Sequence, residues 1–549
     1  MISAAMILEK DPLGSQQHSA IAGHLPRTTR YIYCNREMLL CLLCPARRLP
    51  CEIIRLIFEH CATISQLSYD RSGSATCTVV ALSATCASWR SIALSCSFLW
   101  ADVAVRIPNI GTSSIPLLRA ISVFSARSGS SFRTIRIISH SEKAARSSKI
   151  LSRLFAHAHR CRSLQISVPQ FSWHAIRINS IFETKLDFPL LESLTISQEL
   201  KYLLENWDET DDLDENEPIH VPLGPSLEVF RTATNLTFLH LSQCALRDID
   251  PSKFKLGFSD RLSTLVLTDC CMGVFRVLEC CANLTTLELY FTKATISAAP
   301  DMLPDHLDAP VQLRKLEHIL FKSGDYNFSH ALLQAYIENF ACPSLFSLDV
   351  EMREITHEEA ESYFTRHYWP HLFPHFELCH MIETSNCYPT KLVLTRISLI
   401  DEDLLKLLEY LSELQELVIS EHPEISKCHR EHVPSLPISW LFIESLRGQG
   451  AGTLLPRLRK LSLTIASPEF DDAHLLDVIS SRQILSIDIC FSKRAMDMDI
   501  THHQLHSLLM AGFPYRLSLY NGTIPIYLWN HEPDIKKDQK TDPGKYLAE

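Results

Sequence analysis

Histidine and cysteine side chains crowd one short segment of this chain, and both residue types bind zinc. The segment is HEEAESYFTRHYWPHLFPHFELCH, and its candidate ligands are His357, His367, His371, His375, Cys379 and His380. Two ligands four residues apart on one helix would face the same metal ion. Pro370 and Pro374 interrupt that helix, however, and Glu361 stands where a His-Glu-x-x-His zinc protease has its second His. We therefore predict an insertion between structural repeats here, and no metal site.

The other candidate catalytic groups lack the spacing that chemistry requires. HPEISKCHREHV, with His422, Cys428, His429 and His432, offers no better ligand set. Cys270-Cys271 and Cys280-Cys281 are adjacent pairs without Cys-x-x-Cys spacing, so apolar packing is predicted for them. The glycine cluster GQGAG at 448–452 has no strand before it and no Lys after it, and no Gly-x-Ser-x-Gly elbow occurs. We predict a protein that is not an enzyme and needs no cofactor.

Composition limits the class of protein. Hydrophobic residues make up 46% and charged residues 21% of 549, which is typical of globular chains rather than disordered ones. The net charge of -11 does not favour general nucleic-acid binding. The 19 cysteines lie inside apolar runs, as is usual in a reducing compartment. Glu9 and Asp11 precede any long apolar stretch, so we expect no secretory signal, no membrane span and an intracellular location, cytoplasmic, nuclear or both.

Charge is spread unevenly along the chain. Residues 103–182 contain 12 Lys and Arg and one acid, Glu142, whereas ENWDETDDLDENEP at 205–218 contains eight carboxylates. The simplest interpretation is a solvated loop beside a basic face. The alternatives are a substrate-recruiting patch and a charge pair within the chain. Nucleic-acid binding is not expected, because the basic segment lacks interleaved exposed aromatic residues.

A short pattern, Leu-x-x-Leu-x-Leu, recurs through most of the chain. In LTTLELY it places Leu284, Leu287 and Leu289 at positions 1, 4 and 6. Side chains alternate between the two faces of a strand, so positions 4 and 6 point the same way. The clean units are 22 to 32 residues apart, which is the period of leucine-rich repeats. Each unit buries its apolar face only against its neighbours, so about ten of them form a solenoid.

The remaining copies share this register. They are Leu164 and Ile166; Leu191, Leu194 and Ile196; Leu236, Leu239 and Leu241; Leu262, Leu265 and Leu267; Leu313, Leu316 and Ile319; Leu345, Leu348 and Val350; Leu414, Leu417 and Ile419; Leu458, Leu461 and Leu463; and, more weakly, Leu392 and Leu394, and Leu485, Ile487 and Ile489. Cys244 and Cys270 follow two copies at a fixed place, where a side chain can bond turn backbone groups. Exposed residues within the copies are candidates for partner recognition: Thr237, His240, Thr264, Val266, Thr286, Glu288, Arg459 and Ser462.

Two helical segments precede the repeats. In LPCEIIRLIFEHC, residues 49–61, the apolar positions have helical spacing: Ile53, Ile54, Ile57, Phe58 and Cys61. Pro50 suits the first turn and Glu52 complements the positive end of the helix dipole. VVALSATCASWRSIALSCSFLW, residues 79–100, also has helical spacing and is followed by the strand-like ADVAVRI. The first helix is predicted either to pack in a core or to contact another protein.

These segments resemble the F-box. The resemblance rests on three blocks in order: Leu49-Pro50-x-Glu52-Ile53-Ile54-x-x-Ile57-Phe58, then Cys86-x-x-Trp89-Arg90-x-Ile92-Ala93, then Leu99-Trp100. SIPLLRAISVFSARSGSSFRTIRI and LSRLFAHAHRCRSLQIS, which lead into the repeats, look like the fungal F-box/leucine-rich-repeat proteins. The resemblance covers most of the chain. The sequence departs from the family at Ala87-Ser88, where a basic pair is common, and in the long polar segment 62–78.

The resemblance implies a substrate-recognition adaptor of a Skp–cullin–F-box ubiquitin ligase. The box would bind a Skp-type adaptor and through it a cullin–RING ligase, while the repeat face would bind an unknown substrate protein. The residues matching the motif are adaptor contacts or box core: Leu49, Pro50, Ile53, Ile54, Ile57, Phe58, Cys86, Trp89, Leu99 and Trp100. The alternative is a leucine-rich-repeat interaction scaffold without a ubiquitin-ligase link, in which the helices only cap the repeats.

The expected fold class is α/β, with an all-helical F-box followed by a leucine-rich-repeat solenoid, a horseshoe of short parallel strands and helices. We expect a weakly structured segment at 1–48, the F-box at 49–105 and a connecting region at 106–160. The repeats are expected at 161–530, with insertions near 200–225, 351–390 and 421–453, followed by a polar tail at 531–549.

Overall fold

The structure is a computed structural model of the whole chain. It describes residues 49–61, 65–69, 75–107, 115–129, 132–139, 148–169, 187–199, 227–244, 259–270, 273–292, 309–324, 326–352, 373–397, 399–421, 437–447, 453–466, 478, 481–482, 484–491, 516–521 and 524–529. The chain divides into two compact units. The first comprises the residues up to Val103 together with Val123–Gly129, and the second comprises Ala104–Ser122 and the residues from Ser130 onward.

The first unit is mainly helical. Helix α1 is Cys51–Cys61, α2 is Thr78–Thr85 and α3 is Ala87–Ser95, and a 3-10 turn follows at Ser97–Trp100. Between α1 and α2, β1 (Ser65–Tyr69) and β2 (Ala75–Thr76) form a short antiparallel pair. The polar segment after α1 thus contains strand structure that its composition did not indicate.

Two residues set where these helices begin. The carbonyl of Pro50 accepts hydrogen bonds from the N–H groups of Ile53 and Ile54, so Pro50 lies just before the first turn of α1 rather than within it. The run 79–100 is not one helix, because Cys86 is extended (φ -159°, ψ 168°) and separates α2 from α3. The Cys86 sulfur accepts from the N–H of Trp89 at 3.4 Å, which caps the start of α3.

Two elements contribute residues to both units. Strand β3 is Asp102–Arg106, and helix α4 is Ile115–Arg127. The strand predicted from ADVAVRI is therefore present, with Val103, Ala104 and Val105 all buried.

The second unit is dominated by parallel strands. They are β4 (Phe132–Ile138), β5 (Cys161–Pro169), β6 (Ser193–Glu199), β7 (Phe238–Ser242), β8 (Thr264–Thr268), β9 (Thr286–Phe291), β11 (His318–Ser323), β13 (Ser347–Met352), β14 (Lys391–Thr395), β15 (Glu416–Ser420), β16 (Lys460–Ile465), β17 (Ser486–Phe491) and β18 (Arg516–Asn521). Each of them pairs in parallel with the next. After β18, β19 (Ile524–Trp529) turns back and pairs antiparallel.

Helices and short strands return the chain between these parallel strands. The helices are α5 (Ser148–Phe155), α6 (Val274–Glu279), α7 (Tyr326–Glu338), α8 (His375–Ser385), α9 (Asp401–Glu409) and α10 (Trp440–Ser445). Short 3-10 turns occur at Ala158–Arg160 and Leu227–Phe230, and β10 (Val311–Gln312) pairs in parallel with β12 (Phe340–Ala341).

The strand register places repeat position 4 in one continuous buried row. Its members are Leu164, Leu194, Leu239, Leu265, Leu287, Ile319, Leu348, Leu392, Leu417, Leu461 and Ile487. Position 6 forms a second buried row two residues on. Consecutive parallel strands that bury aliphatic residues in register are the arrangement of a leucine-rich-repeat domain. The predicted repeats are confirmed at this level.

The register also corrects the sequence assignment at two places. Ile319 aligns with Leu287, and Phe321 aligns with Leu289, so this repeat has Leu316 at position 1, and the assignment of Leu313 to position 1 was wrong. Strand β4 precedes residue 161, where the leucine pattern places the first repeat. Its Ile135 pairs with Leu164, so the parallel sheet begins earlier than the leucines alone indicate.

A backbone carbonyl at repeat position 2 joins each repeat to the next. The carbonyl of Glu192 accepts hydrogen bonds from the N–H groups of both Thr237 and Phe238, at 2.9 and 3.1 Å. Each such carbonyl therefore accepts the N–H groups of positions 2 and 3 in the following repeat. The same two-donor arrangement recurs at the carbonyls of Thr237, Ser263, Thr285, Glu317, Phe346, Thr390, Gln415 and Arg459.

Side chains secure the other ends of several strands. The Cys270 thiol donates to the carbonyls of Thr268 and Leu241 at 3.4 and 3.5 Å, and Cys244 bonds backbone in the same way, as its place in the repeat predicted. Further along, Glu421 is 1% exposed, and its carboxylate accepts the N–H groups of Ile438 and Ala466 at 2.9 and 2.8 Å. These side chains therefore form hydrogen bonds with backbone groups at or beyond the ends of the strands.

Replacing one buried leucine tests how much the repeat interior contributes. Leu267 at position 6 is fully buried, so Leu267→Ala leaves a cavity and should lower the free energy of unfolding by about 2–5 kcal/mol. Leu485→Ala, at an exposed position, should change it by less than about 0.5 kcal/mol. Denaturant unfolding followed by circular dichroism measures both. Equal effects of the two substitutions would contradict the assignment of position 6 to the interior.

Candidate protein-interaction surfaces

Helix α1 packs one apolar face into the helical unit. Ile54 and Phe58 are 4% and 0% exposed, and the Phe58 ring meets Trp89 edge-on at 5.1 Å between centroids. Offset and edge-to-face pairs of this kind add to the free energy of burial. These contacts join α1 to α3.

Trp100 closes the same core from the other side. Its indole Nε1 donates to the carbonyl of Ala93 at 2.8 Å, which satisfies the one polar group of a fully buried ring. The Phe124 ring lies edge-on to it at 5.0 Å, and the Arg127 guanidinium lies over it at 4.7 Å. Leu99 is buried beside it in sequence, so the Leu99-Trp100 block is structural within this unit.

A second apolar face of α1 is exposed. Leu49, Ile53 and Leu56 are 37%, 42% and 59% exposed, and the spacing of Ile53 and Leu56 puts them on one side of the helix. Ile57 borders this stripe and is half-buried. We call Leu49, Ile53 and Leu56 the α1 stripe. Leu56 was absent from the sequence-based candidates, although its i, i+3 relation to Ile53 is a signal that could have found it.

The structure separates the ten motif residues into three groups by burial. Buried are Ile54, Phe58, Leu99 and Trp100; half-buried are Ile57, Cys86 and Trp89; exposed are Leu49, Pro50 and Ile53. The sequence alone could not make this division, because the motif identifies the positions but does not show which of their side chains pack inside the unit. Ala87 and Ser88 are both exposed.

The second candidate surface is the outward face of the parallel strands. Repeat positions 3, 5 and 7 alternate with the buried positions 4 and 6, so their side chains project from the opposite face of the sheet. We call this surface the strand face. Of the recognition candidates, six lie on it: His240, Thr264, Val266, Thr286, Glu288 and Ser462.

Three of the recognition candidates need correction. Val266 is 5% exposed, so its prediction as an exposed residue was wrong: it lies between His240 and Glu288 of the neighbouring strands, which cover a short side chain. Thr237 and Arg459 are exposed but occupy position 2, ahead of the strands, where their carbonyls form the backbone ladder.

Cross-strand ion pairs cover the later part of the strand face. Glu416 lies between two lysines, 3.6 Å from Lys391 and 3.3 Å from Lys460. Glu351 lies 2.7 Å from Lys322 and 3.8 Å from Arg396. Charges on neighbouring strands therefore neutralise one another here, and each partly exposed pair contributes little to stability.

A polar cluster marks the middle of the strand face. The Tyr290 hydroxyl donates to Glu288 at 2.8 Å, and burial, followed by this bond, raises the pKa of Tyr290 to about 12. His240 lies 3.1 Å from the Thr268 hydroxyl, and burial lowers the pKa of His240. The imidazole is therefore neutral at pH 7 and acts as a hydrogen-bonding group rather than a cation.

The structure describes only some of the histidine and cysteine residues that were considered as zinc ligands. His357, His367 and His371 lie outside the described residues, as do HPEISKCHREHV from His422 onward, GQGAG and the acidic segment 205–218. Helix α8 begins after Pro374, as the prolines predicted. The His375 imidazole Nε2 lies 3.3 Å from the buried Asp403 carboxylate, whereas His380 is exposed. Within the described ranges, no three His, Cys, Asp or Glu side chains converge on a metal position.

Comparison with known proteins finds only distant likenesses among solved structures. No protein-family model and no curated protein matches the sequence. The APL1 leucine-rich repeat domain is 11% identical over 75% of this chain and 85% of its own, with a TM-score of 0.27. The APL1B leucine-rich repeat domain is 13% identical over 62% and 78%, with a TM-score of 0.24, and a Leptospira interrogans leucine-rich repeat protein is 12% identical over 66% and 90%, with a TM-score of 0.16. These scores carry no argument, so the repeat architecture rests on the register of this chain.

None of the described helices combines the length and the apolar character that a span of the hydrocarbon layer requires.

Cysteine reactivity tests the placement of the thiols. Burial raises the pKa of Cys281 to about 12 and raises that of Cys244 well above its ordinary value. At pH 8 the thiolate of Cys281 is then about one part in ten thousand, so alkylation should be very slow. Among the cysteines that the structure describes, Cys51 and Cys61 are exposed and should be alkylated first. Pulsed alkylation with peptide mass mapping measures the order, and unfolded chain, in which every thiol reacts, is the control. Labelling of native Cys281 as fast as Cys61 would contradict the placement.

Proposed function

We propose that this chain is the substrate-binding subunit of a Skp–cullin–F-box ubiquitin ligase. The α1 stripe carries the proposal, because it is an exposed apolar surface on the helix whose sequence resembles the start of the F-box. In this proposal residues 49–105 are the adaptor-binding box and residues 161–530 hold the substrate. The chain itself performs no chemistry and binds no cofactor.

The exposed stripe has a physical cost that a partner would remove. An aliphatic side chain gains about 1.5–3 kcal/mol when it moves from water into a fully buried contact. Two such residues on α1, with Leu49 just before the helix, lie next to a face that already packs internally and suit a helical partner that covers them. In the proposed complex that partner is the Skp-type adaptor.

The motif residues then have separate roles. Leu49, Pro50 and Ile53 contact the adaptor, and Leu56 joins them. Ile54, Phe58, Leu99 and Trp100 hold the box together from inside. Ile57, Cys86 and Trp89 lie at the border and do both. Because Ala87-Ser88 lacks the basic pair common in the family, electrostatic steering contributes less to the association rate than in those relatives.

Proximity would supply the catalytic effect. The strand face binds the substrate protein, and the cullin–RING partner brings a charged ubiquitin carrier to the same assembly. A tethered target then reacts at a raised effective concentration. Such a complex operates in the cytoplasm, the nucleus or both, and it uses no membrane and no nucleic acid.

Substitution of the α1 stripe tests the adaptor contact. Ile53→Asp/Leu56→Asp places two charges where apolar contact is expected, so the Kd for the Skp-type adaptor should rise at least about a hundredfold. Leu485→Asp, an exposed leucine in the repeats, is the matched control and should bind like wild type. Interferometry on immobilised adaptor gives the Kd, and circular dichroism confirms that each variant folds.

Two results would defeat the ligase proposal. Wild type that does not bind the adaptor would leave a leucine-rich-repeat interaction scaffold without a ubiquitin link. The same holds if the stripe variant and the Leu485→Asp control bind equally well. Ile54→Asp is not a useful probe, because a charge at a buried position reports on folding.

A further inference from the structure

The carboxylates of the strand face fall into two groups, those with cations beside them and those without. Glu416 at repeat position 3 and Glu351 at position 7 each lie close to two cations. Position 5 carries three further carboxylates, Glu288, Asp349 and Asp488. No cation within the described part of the chain pairs with any of these three. From β9 to β17, the unpaired negative charge of the strand face therefore lies at position 5.

Aliphatic side chains separate and follow the first two of these carboxylates. Leu320 lies between Glu288 and Asp349, and Val393 and Val418 come next on β14 and β15. All three are half-buried, so part of each side chain is accessible from the strand face. Positions 3 and 7 flank them about 7 Å away along each strand. We call Glu288, Leu320, Asp349, Val393 and Val418 the centre row.

Hydroxyl groups hold the two carboxylates of the centre row in place. The Tyr290 hydroxyl donates to Glu288 Oε2, and the Ser347 hydroxyl donates to Asp349 Oδ1, each at 2.8 Å. The second oxygen of each carboxylate accepts no hydrogen bond from the described residues. One oriented acceptor on each side chain is therefore left for a ligand.

A partner that covers the centre row has to supply positive charge. Covering removes water from Glu288 and Asp349, and a carboxylate that loses water without gaining a cation is costly. Glu351 and Glu416 already have cations beside them, so covering them does not select the charge of a partner. The centre row does select it, in favour of Lys or Arg opposite its two acids and aliphatic residues opposite the rest.

We infer that the centre row binds a basic amphipathic helix of a partner protein. Glu288 and Asp349 lie two strands apart, which is about 10 Å. Residues i and i+7 of a helix share a face and lie about 10.5 Å apart, with i+4 between them to cover Leu320. In an extended segment, side chains on one side recur about every 7 Å, which does not match this separation.

The expected partner sequence follows from the same spacing. Lys or Arg stands at i and i+7, and aliphatic residues stand at i+4, i+11 and i+14, where they meet Leu320, Val393 and Val418. That such a partner is a ubiquitination substrate rests on the proposed function. The binding itself does not, because it involves only residues of the repeats.

Peptide binding to the full-length chain tests the inference. The probes are three fluorescent helical peptides of about 18 residues with the same aliphatic positions. One has Lys at i and i+7, one has Gln there, and one has the two Lys moved to i+2 and i+9, on the opposite side of the helix. The first should bind at least about tenfold more tightly than the other two, and its binding should weaken as salt rises from about 50 to 200 mM.

Substitutions in the chain locate the binding. Glu288→Gln/Asp349→Asn should raise the Kd of the first peptide about tenfold or more, because it removes both unpaired carboxylates. Glu279→Gln/Glu402→Gln makes the same change of charge at two exposed helical positions and should leave the Kd within about twofold. Circular dichroism checks that both variants fold like wild type.

The acidic segment 205–218 also attracts basic peptides, so every measurement is repeated with its eight carboxylates replaced by amides. The inference is overturned if the first peptide does not bind in that background, or if the Gln peptide or the peptide with displaced Lys binds equally well. Equal effects of the two pairs of substitutions would also overturn it. Adaptor binding by Glu288→Gln/Asp349→Asn should be unchanged, so failure here and failure of the ligase proposal are separate results.

Discussion

The hydrogen bonds to the backbone carbonyl at repeat position 2 hold the strands of the second unit in register. This carbonyl accepts two N–H groups of the next repeat, as Thr285 does from Glu317 and His318 at 2.9 and 3.0 Å. These two backbone hydrogen bonds fix the register of each strand independently of its side chains. A slip of one residue would turn the buried aliphatic rows outward, so the ladder and the leucine rows enforce the same alignment. The strand face, with its ordered rows of polar groups, is a consequence of that alignment.

Much of this fold could be predicted from sequence, because inward positions need apolar side chains wherever the strand lies. The leucine pattern is insufficient where a strand contains no leucine, as in β4, or where an aromatic residue stands at position 6, as in β11. Phe321 completes its repeat, and Ile135 and Ile137 provide β4, yet neither strand has the full leucine pattern. The pairing of Glu416 with two lysines could not be predicted, since it depends on which strands become neighbours across 25 and 44 residues of chain.

The candidate adaptor site shows a different limit. A helical pattern shows which apolar residues share a face of the helix. It does not show which of those faces a small unit buries. Ile54 and Ile53 are adjacent in sequence and chemically identical, but only Ile54 lies on the same face of α1 as the buried Phe58, so it is 4% exposed and Ile53 is 42% exposed. A single buried face does not account for Leu56, because α1 has two apolar faces with different surroundings.

The ladder also determines how the repeats would fail. Each repeat contacts mainly its two neighbours. The free energy of unfolding of the array is therefore approximately a sum of contributions from single repeats and from the interfaces between neighbours. Damage to a middle repeat, such as the one containing Leu267, would divide the array into two shorter segments, each with a newly exposed edge. Strands β4–β7 and the strands β11–β16 that carry the lysine–glutamate pairs lie on opposite sides of that break. The strands on one side of the break could thus melt while those on the other side stay folded, so a local loss of structure need not mean loss of the whole domain.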